Sequence, residues 1–348
     1  MRPARMKVNI YRTKNIRSWF FFTALFLAAA QEAWGQSEHT ANLIKGAQNE
    51  GKLVWYTSLG VSDSRQLLDA FEKQYPFVKT ELFRASGEKT MNRIMTETQA
   101  GRWEFDVVSL SAINILVRRK LISSYVSPEA HAVPAVFRDA EGRWTGTHSN
   151  YLVIGYNTSM VPAGEAPKDW PDLLDLKWKG RLAIDQEEYP WYATLSAAWG
   201  KEKTQRYMQA LARQQIQWRR GHTLMAQLMA AGEFPLAIVY ADNAEALRRK
   251  GAPLDWVNTV DPVVASVHSM ALSAKPNHRN AGGLFIDFVL SKKGQAMIRS
   301  FNRNPARSDI EPFSSKMAPR HLKLRVVPGD METRYQEYVD EFKRVFNP

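Results

Sequence analysis

The chain has 348 residues, a formal net charge of +12 and no cysteine, and 45% of its residues are hydrophobic. Without cysteine it cannot form disulfides or use thiolate chemistry, and we expect no lipid anchor. The chain exceeds the commonest domain size, so it has room for two folded units.

The first 35 residues have the pattern of a secretory signal. Six basic and no acidic residues precede residue 18, an apolar run covers residues 19–30, and small residues stand at Ala33 and Gly35. This run is shorter than the roughly 20 residues that span a bilayer. We expect cleavage after Gly35, or alternatively after Ala30, to release a free periplasmic protein. An N-terminal membrane anchor is the other interpretation.

Removal of residues 1–35 would take away six basic residues and one acidic residue and leave a net charge of +7. The remaining basic clusters fall at predicted helix ends or in loops: Arg118–Lys120, Arg219–Arg220 and Arg248–Lys250. Nucleic-acid binding would require a basic stripe with interleaved aromatic residues in a known module. The sequence shows no such pattern, so we expect no nucleic-acid partner.

Strands and helices alternate along the first part of the chain. Short apolar runs predict strands over Leu53–Thr57, Val78–Arg84 and Phe105–Ser109. Apolar residues at helical spacing predict a helix that Asp63 can cap, a helix opened by Ser86-Gly87, and a third over Ala112–Leu121. This alternation indicates an α/β protein with a parallel sheet between layers of helices.

The alternation resumes after residue 150. Strands are predicted over Tyr151–Tyr156, Arg181–Asp185, Leu236–Ala241 and Val263–Ser273. Helices are predicted over Tyr192–Trp199, Glu202–Ala212, Thr223–Ala231, Gly283–Leu290 and Gln295–Phe301. We expect two lobes, with chain crossings near residues 145–150 and 262–270. Residues 36–148 would form lobe 1 and residues 149–262 lobe 2, while residues 263–348 would return to lobe 1 and end in a helical segment.

Short motifs follow one another in order between residues 50 and 312. They occupy residues 51–58, 71–76, 86–89, 106–108, 155–158, 167–173, 178–181 and 285–295. The ordered set resembles the type 2 periplasmic solute-binding proteins of ABC importers, and in particular their ferric-ion-binding branch. The resemblance implies two lobes, each with a mixed, mostly parallel sheet flanked by helices, and a small-molecule solute in the cleft. It also implies permease and ATPase subunits of the inner membrane as partners, and we expect a monomer.

The metal ligands of the ferric-ion branch have no full match in this chain. That branch typically holds iron with two adjacent tyrosines after the strand that corresponds to Leu236–Ala241. Those two positions fall on Asp242 and Asn243, and Tyr240 nearby is single. Fe(III) therefore remains an alternative ligand, and the carboxylates near Asp185 leave open an oxygen-rich metal site of another geometry. We assign no metal site and no cofactor.

An organic or anionic solute is the preferred ligand. In open α/β sheets, ligands bind beyond the carboxyl ends of strands. Ser86-Gly87 before a helix can bind an anion or serve as an ordinary N-cap. Tyr189 and Tyr192 can form an aromatic wall of the cleft or pack in the core. The candidate ligand-binding residues are Thr57, Ser58, Ser86, Gly87, Ser111, Tyr151, Asp185, Tyr189, Tyr192, Tyr240, Asp242 and Asn243.

Enzymatic motifs fit the sequence poorly. Residues 46–52 match the first seven positions of a phosphate-binding loop, but Leu53 stands where Ser or Thr would ligate magnesium. The histidines are scattered without metal-ligand spacing. We expect a binding protein rather than an enzyme, one that captures its solute by closure of the two lobes. An exported hydrolase with catalytic residues from distant segments is the remaining alternative.

Overall fold

The computed structural model describes residues 38–331 and 333–348, so the predicted secretory signal lies outside the described residues. Its strands are β1 (Lys52–Thr57), β2 (Lys79–Arg84), β3 (Val107–Leu110), β4 (Ile122–Ser123), β5 (Thr145–Asn157), β6 (Leu182–Asp185), β7 (Gln217–Arg219), β8 (Leu236–Tyr240), β9 (Leu254–Trp256), β10 (Val263–Ser273), β11 (Asn304–Pro305) and β12 (Leu324–Val326).

The α-helices surround these strands. They are α1 (residues 38–50), α2 (Val61–Gln74), α3 (Gly87–Gln99), α4 (Asn114–Arg118), α5 (Tyr189–Trp199), α6 (Lys201–Ala212), α7 (His222–Ala230), α8 (Ala241–Arg248), α9 (Arg279–Leu290), α10 (Lys292–Ser300) and α11 (Tyr335–Phe346). In the described part of the chain, no helix has both the length and the apolar character needed to span a bilayer.

One sheet runs through the described residues in the order β2-β1-β3-β10-β5-β8-β6-β7. In lobe 1, β1 pairs in parallel with β2 and β3, and in lobe 2, β6 pairs in parallel with β7 and β8. The strands β5 and β10 pair antiparallel with each other, and β10 also pairs antiparallel with β3 and β5 with β8. The expected α/β fold of two lobes, each with a mixed, mostly parallel sheet, is confirmed.

The long strands β5 and β10 connect the lobes. β10 pairs with β3 of lobe 1 through Ser269–Leu272, and β5 pairs with β8 of lobe 2 through Leu152–Tyr156. Between these stretches β5 and β10 pair with each other, so His148 lies opposite His268. Since β3 and β8 run antiparallel to the strands that they join, the carboxyl ends of both lobes' parallel strands face the same gap. This gap is the cleft between the lobes.

The apolar core is divided between the lobes. In lobe 1, α2 and α9 cover one face of the sheet, with Phe71 and Phe285 in contact, and α3 covers the other face with Ile94. In lobe 2, the helices α5 and α6 bury Tyr192 and Leu211 against the sheet. Each lobe therefore buries an apolar core of its own, and the packing of each is set by its own helices.

The C-terminal segment belongs to lobe 2. The strand β12 pairs in parallel with the first residues of β10, and α11 packs on α5 and α6. Phe342 of α11 meets the Tyr189 ring edge-on at 5.3 Å, and the Tyr192 hydroxyl donates a hydrogen bond of 2.8 Å to Glu341. Only part of the segment 263–348 thus returns to lobe 1, since burial of its aromatic side chains holds the final helix on lobe 2.

Asp63 does not cap α2 as the sequence predicts. The helix begins at Val61 with Gly60 as its N-cap, so Asp63 lies in the first turn. Its carboxylate accepts hydrogen bonds of 3.2 and 3.0 Å from the Nε and Nη2 atoms of Arg303. A carboxylate in the first turn is favourable at the positive end of the helix dipole, and here it also fixes an arginine beside the crossing strands.

Candidate ligand-binding cleft

The lobe 1 side of the cleft is built from the ends of β1 and β3. Thr57 is buried, and its hydroxyl accepts a hydrogen bond of 3.0 Å from the backbone N–H of Leu59. Ser58 is half-buried, and its Oγ lies 3.2 Å from Nε2 of His268 on β10. Ser111 is exposed directly after β3. Thr57 therefore shapes the turn, while Ser58 and Ser111 face the gap between the lobes.

The floor of the cleft contains two stacked histidines. The rings of His148 and His268 lie 4.6 Å apart and are tilted by only 20°. Thr147 donates a hydrogen bond of 2.9 Å to the His268 carbonyl, and its Oγ1 lies 3.1 Å from Nδ1 of His148. Burial lowers the pKa of His268 to about 3, and burial and then the neighbouring His268 hold the pKa of His148 well below its usual value. Both rings are therefore neutral at neutral pH.

The lobe 2 side contains three buried acidic residues, which we call the lobe 2 acidic cluster: Asp185, Glu188 and Asp242. Asp185 ends β6, and its two oxygens accept hydrogen bonds of 2.8 and 2.6 Å from the backbone N–H groups of Glu187 and Gly221. Glu188 precedes α5, and Asp242 lies in the first turn of α8. One oxygen each of Glu188 and Asp242 is buried without a hydrogen-bond partner among the described residues.

Burial disfavours charge on Glu188 and Asp242, and repulsion by Asp185 adds to this effect at Glu188. Burial raises the pKa of Asp242 to about 6, and burial and then the charge of Asp185 raise the pKa of Glu188 well above its usual value. The pKa of Tyr240 is also raised, by burial first and then by all three carboxylates. The His222 ring packs on Tyr240 at 4.1 Å, and its Nε2 lies 3.4 Å from Glu188. The phenol therefore stays neutral next to the cluster.

A cavity of about 940 Å³ opens between the lobes. Lobe 1 lines it with Gly87, Ser111 and apolar side chains such as Trp144, while the C-terminal segment contributes Met331 and Tyr335. The lobe 2 acidic cluster lies outside this lining, although Pro190, two residues after Glu188, belongs to it. The large open space and the buried polar groups are thus neighbouring but distinct parts of the region between the lobes.

The structure separates the candidate ligand-binding residues into groups. Asp185, Tyr240 and Asp242 lie together, with Asn243 half-buried next in α8. Ser86 caps α3 by accepting a hydrogen bond of 3.3 Å from the Lys89 N–H. Tyr151 is buried in β5 with a hydroxyl that has no partner among the described residues. Tyr189 and Tyr192 pack against α11, which points to a structural role.

Sequence reasoning did not select four polar residues of this region: His222, His148, His268 and Arg303. Glu188 was considered only as part of an acidic run near Asp185, which suits either an oxygen-rich metal site or a solvated helix start. The two histidines of the floor are 120 positions apart, so only the pairing of β5 with β10 reveals them. Among the described residues, no group of three or more His, Asp or Glu side chains is arranged to hold a metal ion.

A family model described as bacterial extracellular solute-binding protein matches residues 104–328. The Fe(3+)-binding periplasmic protein of Serratia marcescens is 22% identical over 269 residues, which cover 74% of this chain and 79% of the relative. Iron-bound HitA from Pseudomonas aeruginosa superposes with a TM-score of 0.73 at 16% identity, over 84% of this chain and 99% of that chain. The fructose-6-phosphate-bound protein AfuA from Actinobacillus pleuropneumoniae superposes with a TM-score of 0.66 at 24% identity, over 85% and 97%. At these identities the structural likeness establishes a shared fold.

Proposed function

Because this chain belongs to the bacterial extracellular solute-binding proteins, we propose that it captures a small organic solute between its lobes for an ABC importer. It would act in the periplasm as a monomer and pass the solute to the permease and ATPase of the inner membrane. The proposal rests on the facing carboxyl ends of the strands, which bring Ser58 of lobe 1 and Asp242 of lobe 2 to one gap. Membership of a binding family supports a role without catalysis.

The size and lining of the cavity favour an organic solute. About 940 Å³ is far more space than a bare ion occupies, and it lies within the range of pockets for small organic ligands. Apolar side chains such as Met91, Ile113 and Trp144 make up much of its lining. These walls suit a ligand with a carbon skeleton, and the exposed Ser111 and Gly87 supply polar contacts at the edge.

Fe(III) is the second candidate. The relative from Serratia marcescens is named for Fe(3+), and the HitA structure contains iron. Carboxylates and a phenol are the oxygen donors that hard cations prefer, and Asp242 and Tyr240 are of this kind. Burial and the nearby carboxylates favour the neutral form of the Tyr240 phenol, however. The sequence also predicts Asp242 and Asn243 at the positions where the ferric-ion branch typically has its tyrosine pair.

Capture would proceed by closure of the lobes. The strands β5 and β10 connect the lobes, so a change in their twist would move one lobe against the other. A solute that contacts both lobes binds the closed form more tightly and shifts the population toward it. The permease would then recognise the surface that only the closed form presents.

Thermal-shift screening of residues 36–348, followed by small-angle X-ray scattering, tests this proposal. The panel contains ferric citrate, sugar phosphates, carboxylates and polyamines, since any ligand that binds the folded state raises Tm. We expect an organic member to raise Tm and to reduce the radius of gyration. A solute that stabilises without compaction would contradict closure. Selective stabilisation by ferric citrate with a visible phenolate-to-iron band would establish the iron alternative.

A further inference from the structure

The lobe 2 acidic cluster contains buried carboxyl oxygens without a hydrogen-bond donor among the described residues. Both carboxylate oxygens of Asp185 accept hydrogen bonds from backbone N–H groups. Glu188 and Asp242 are 3% and 7% exposed, and each retains a buried oxygen without a partner among the described residues. A buried carboxylate is costly unless it is paired and hydrogen-bonded. A donor that reached these two oxygens would therefore supply the hydrogen bonds that they lack.

The positive groups closest to the cluster do not neutralise it. Arg303 acts on Asp242 through its charge, but its guanidinium donates its hydrogen bonds to Asp63 on lobe 1. The Nε2 atom of His222 lies 3.4 Å from the same Glu188 oxygen without making a hydrogen bond to it, and burial lowers the pKa of His222 and so favours the neutral ring. Neither group supplies a fixed positive charge at the two unpartnered oxygens.

The aromatic surroundings suit a cationic group as well. Glu188 lies 3.4 Å from His222, whose ring packs against Tyr240 with the ring centroids 4.1 Å apart, and Asp242 follows Tyr240 by two residues. A cation is attracted to the face of a tyrosine ring, and the attraction is larger where water is excluded. The His222 ring lies against Tyr240 at an interplanar angle of 43°.

We propose that the solute carries a protonated amine, which pairs with the unpartnered oxygens of Glu188 and Asp242 beside Tyr240. This inference rests on the proposed solute-binding function and specifies the chemical class of the solute. An ammonium group provides one positive charge and several N–H donors, which matches two acceptors that lack donors. The carbon skeleton of the same molecule would extend into the apolar part of the cleft.

The first test needs no ligand. In the unliganded protein at pH 8, Asp242→Asn removes an unpaired buried charge, because that pH lies above the pKa of about 6 that burial gives Asp242. Glu188→Gln replaces a buried carboxyl that Asp185 repels. We therefore expect a higher Tm than that of the native chain for Asp242→Asn and no lower Tm for Glu188→Gln. The control is Asp185→Asn in the same cluster, which should lower Tm because its carboxylate holds two backbone N–H groups. A lower Tm for all three variants would assign Glu188 and Asp242 a structural role and overturn the proposal.

The second test compares molecules that differ in the amine. The probes are γ-aminobutyrate with butyrate and putrescine with 1,4-butanediol, at millimolar concentration and pH 7, with ferric citrate and glucose 6-phosphate alongside. We expect an amine to raise Tm while its amine-free partner does not, and Glu188→Gln to weaken amine binding at least tenfold. Equal binding of a pair would overturn the inference.

The remaining outcomes separate the inference from the proposed function. If only ferric citrate, butyrate or glucose 6-phosphate caused compaction, the solute-binding function would stand, and the proposal that the solute carries an amine would be overturned. If none of the probes raised Tm, the amine class would be rejected. A lack of compaction with every solute that binds would overturn closure itself, which the scattering experiment detects independently of the variants.

Discussion

Single buried side chains of the cleft make stability depend on pH in two opposite directions. Asp242 binds its proton more tightly in the folded chain than in the unfolded chain, because burial raises its pKa to about 6. Its contribution to stability therefore falls as the pH rises from its ordinary pKa near 4 to about 6. His268, with its pKa lowered to about 3 by burial, costs stability as the pH falls below about 6.5.

Asp242→Asn should remove the first of these effects. We expect the variant to gain stability relative to the native chain as the pH rises from 4 to 6, and the gain to level off above that range. A shift of about two pKa units corresponds to roughly 3 kcal/mol. Urea unfolding at half-unit pH steps measures the difference. A constant difference between pH 4 and 7 would contradict the assignment to Asp242.

Sequence reasoning located side chains at strand ends better than it located their partners. The sequence predicts Asp185 at the end of one strand and Asp242 directly after another, and both lie in the lobe 2 acidic cluster. The proximity of Arg303 to this region could not be foreseen, because it depends on β11 joining the middle of β5. Nor could Tyr192 be assigned to a core contact before α11 was known to pack on α5. Contacts between residues far apart in the chain require the three-dimensional pairing.

At the scale of elements, the two crossing strands differ in how well the sequence predicts them, because the first residues of β5 are polar. The predicted strand Val263–Ser273 coincides with β10, because its apolar residues mark it clearly. By contrast, β5 begins at Thr145, six residues before the predicted start. The prediction began too late because residues 145–150 are Thr, Gly, Thr, His, Ser and Asn, which are mostly polar. Those polar side chains are mostly buried because they lie between the lobes. The helix α8 was missed because it follows β8 without a connecting loop.

The irregular pairing of β5 with β10 requires a residue without a side chain at position 146. The register shifts between His268 and Ser269, so Gly146 lies opposite Ser269. A Cβ at Gly146 would lie 2.7 Å from Cγ1 of Val267 and 2.9 Å from the Phe137 carbonyl oxygen. The Phe137 carbonyl oxygen cannot move away as a flexible side chain could. A methyl group at position 146 must therefore distort the connection between the lobes.

Gly146→Ala should therefore destabilise the protein by about 1–3 kcal/mol through overpacking. Urea unfolding gives the change in stability, and small-angle scattering of the unliganded protein shows whether the lobes are displaced. Gly164→Ala is the matched control, because a Cβ there has no neighbour within 4 Å, and we expect a change below about 0.5 kcal/mol. A Gly146→Ala protein as stable as the control would mean that the strands absorb the methyl group.

At the scale of the whole molecule, the two lobes carry separate cores that share only the crossing strands and their surroundings. Phe285 of α9 packs in lobe 1 against Trp55 and Phe71, with ring centroids 5.0 and 5.1 Å away. Phe342 of α11 packs in lobe 2 against Tyr189 and Phe346, at 5.3 and 4.7 Å. Because the cores are separate, damage to one should leave the local stability of the other largely intact, while a solute bound between the lobes should couple them.

Phe285→Ala and Phe342→Ala should each cost about 3–5 kcal/mol, but in different lobes. Hydrogen exchange should show the loss of protection in β1 and β3 for the first variant and in β6 and β8 for the second. Lys343→Ala, next to Phe342 but exposed, is the control and should leave both lobes unchanged. A saturating solute should raise protection in both lobes of either variant, since it contacts both. If Phe342→Ala reduced protection equally in β1 and β8 without solute, the lobes would unfold as one unit, and closure would not be needed to couple them.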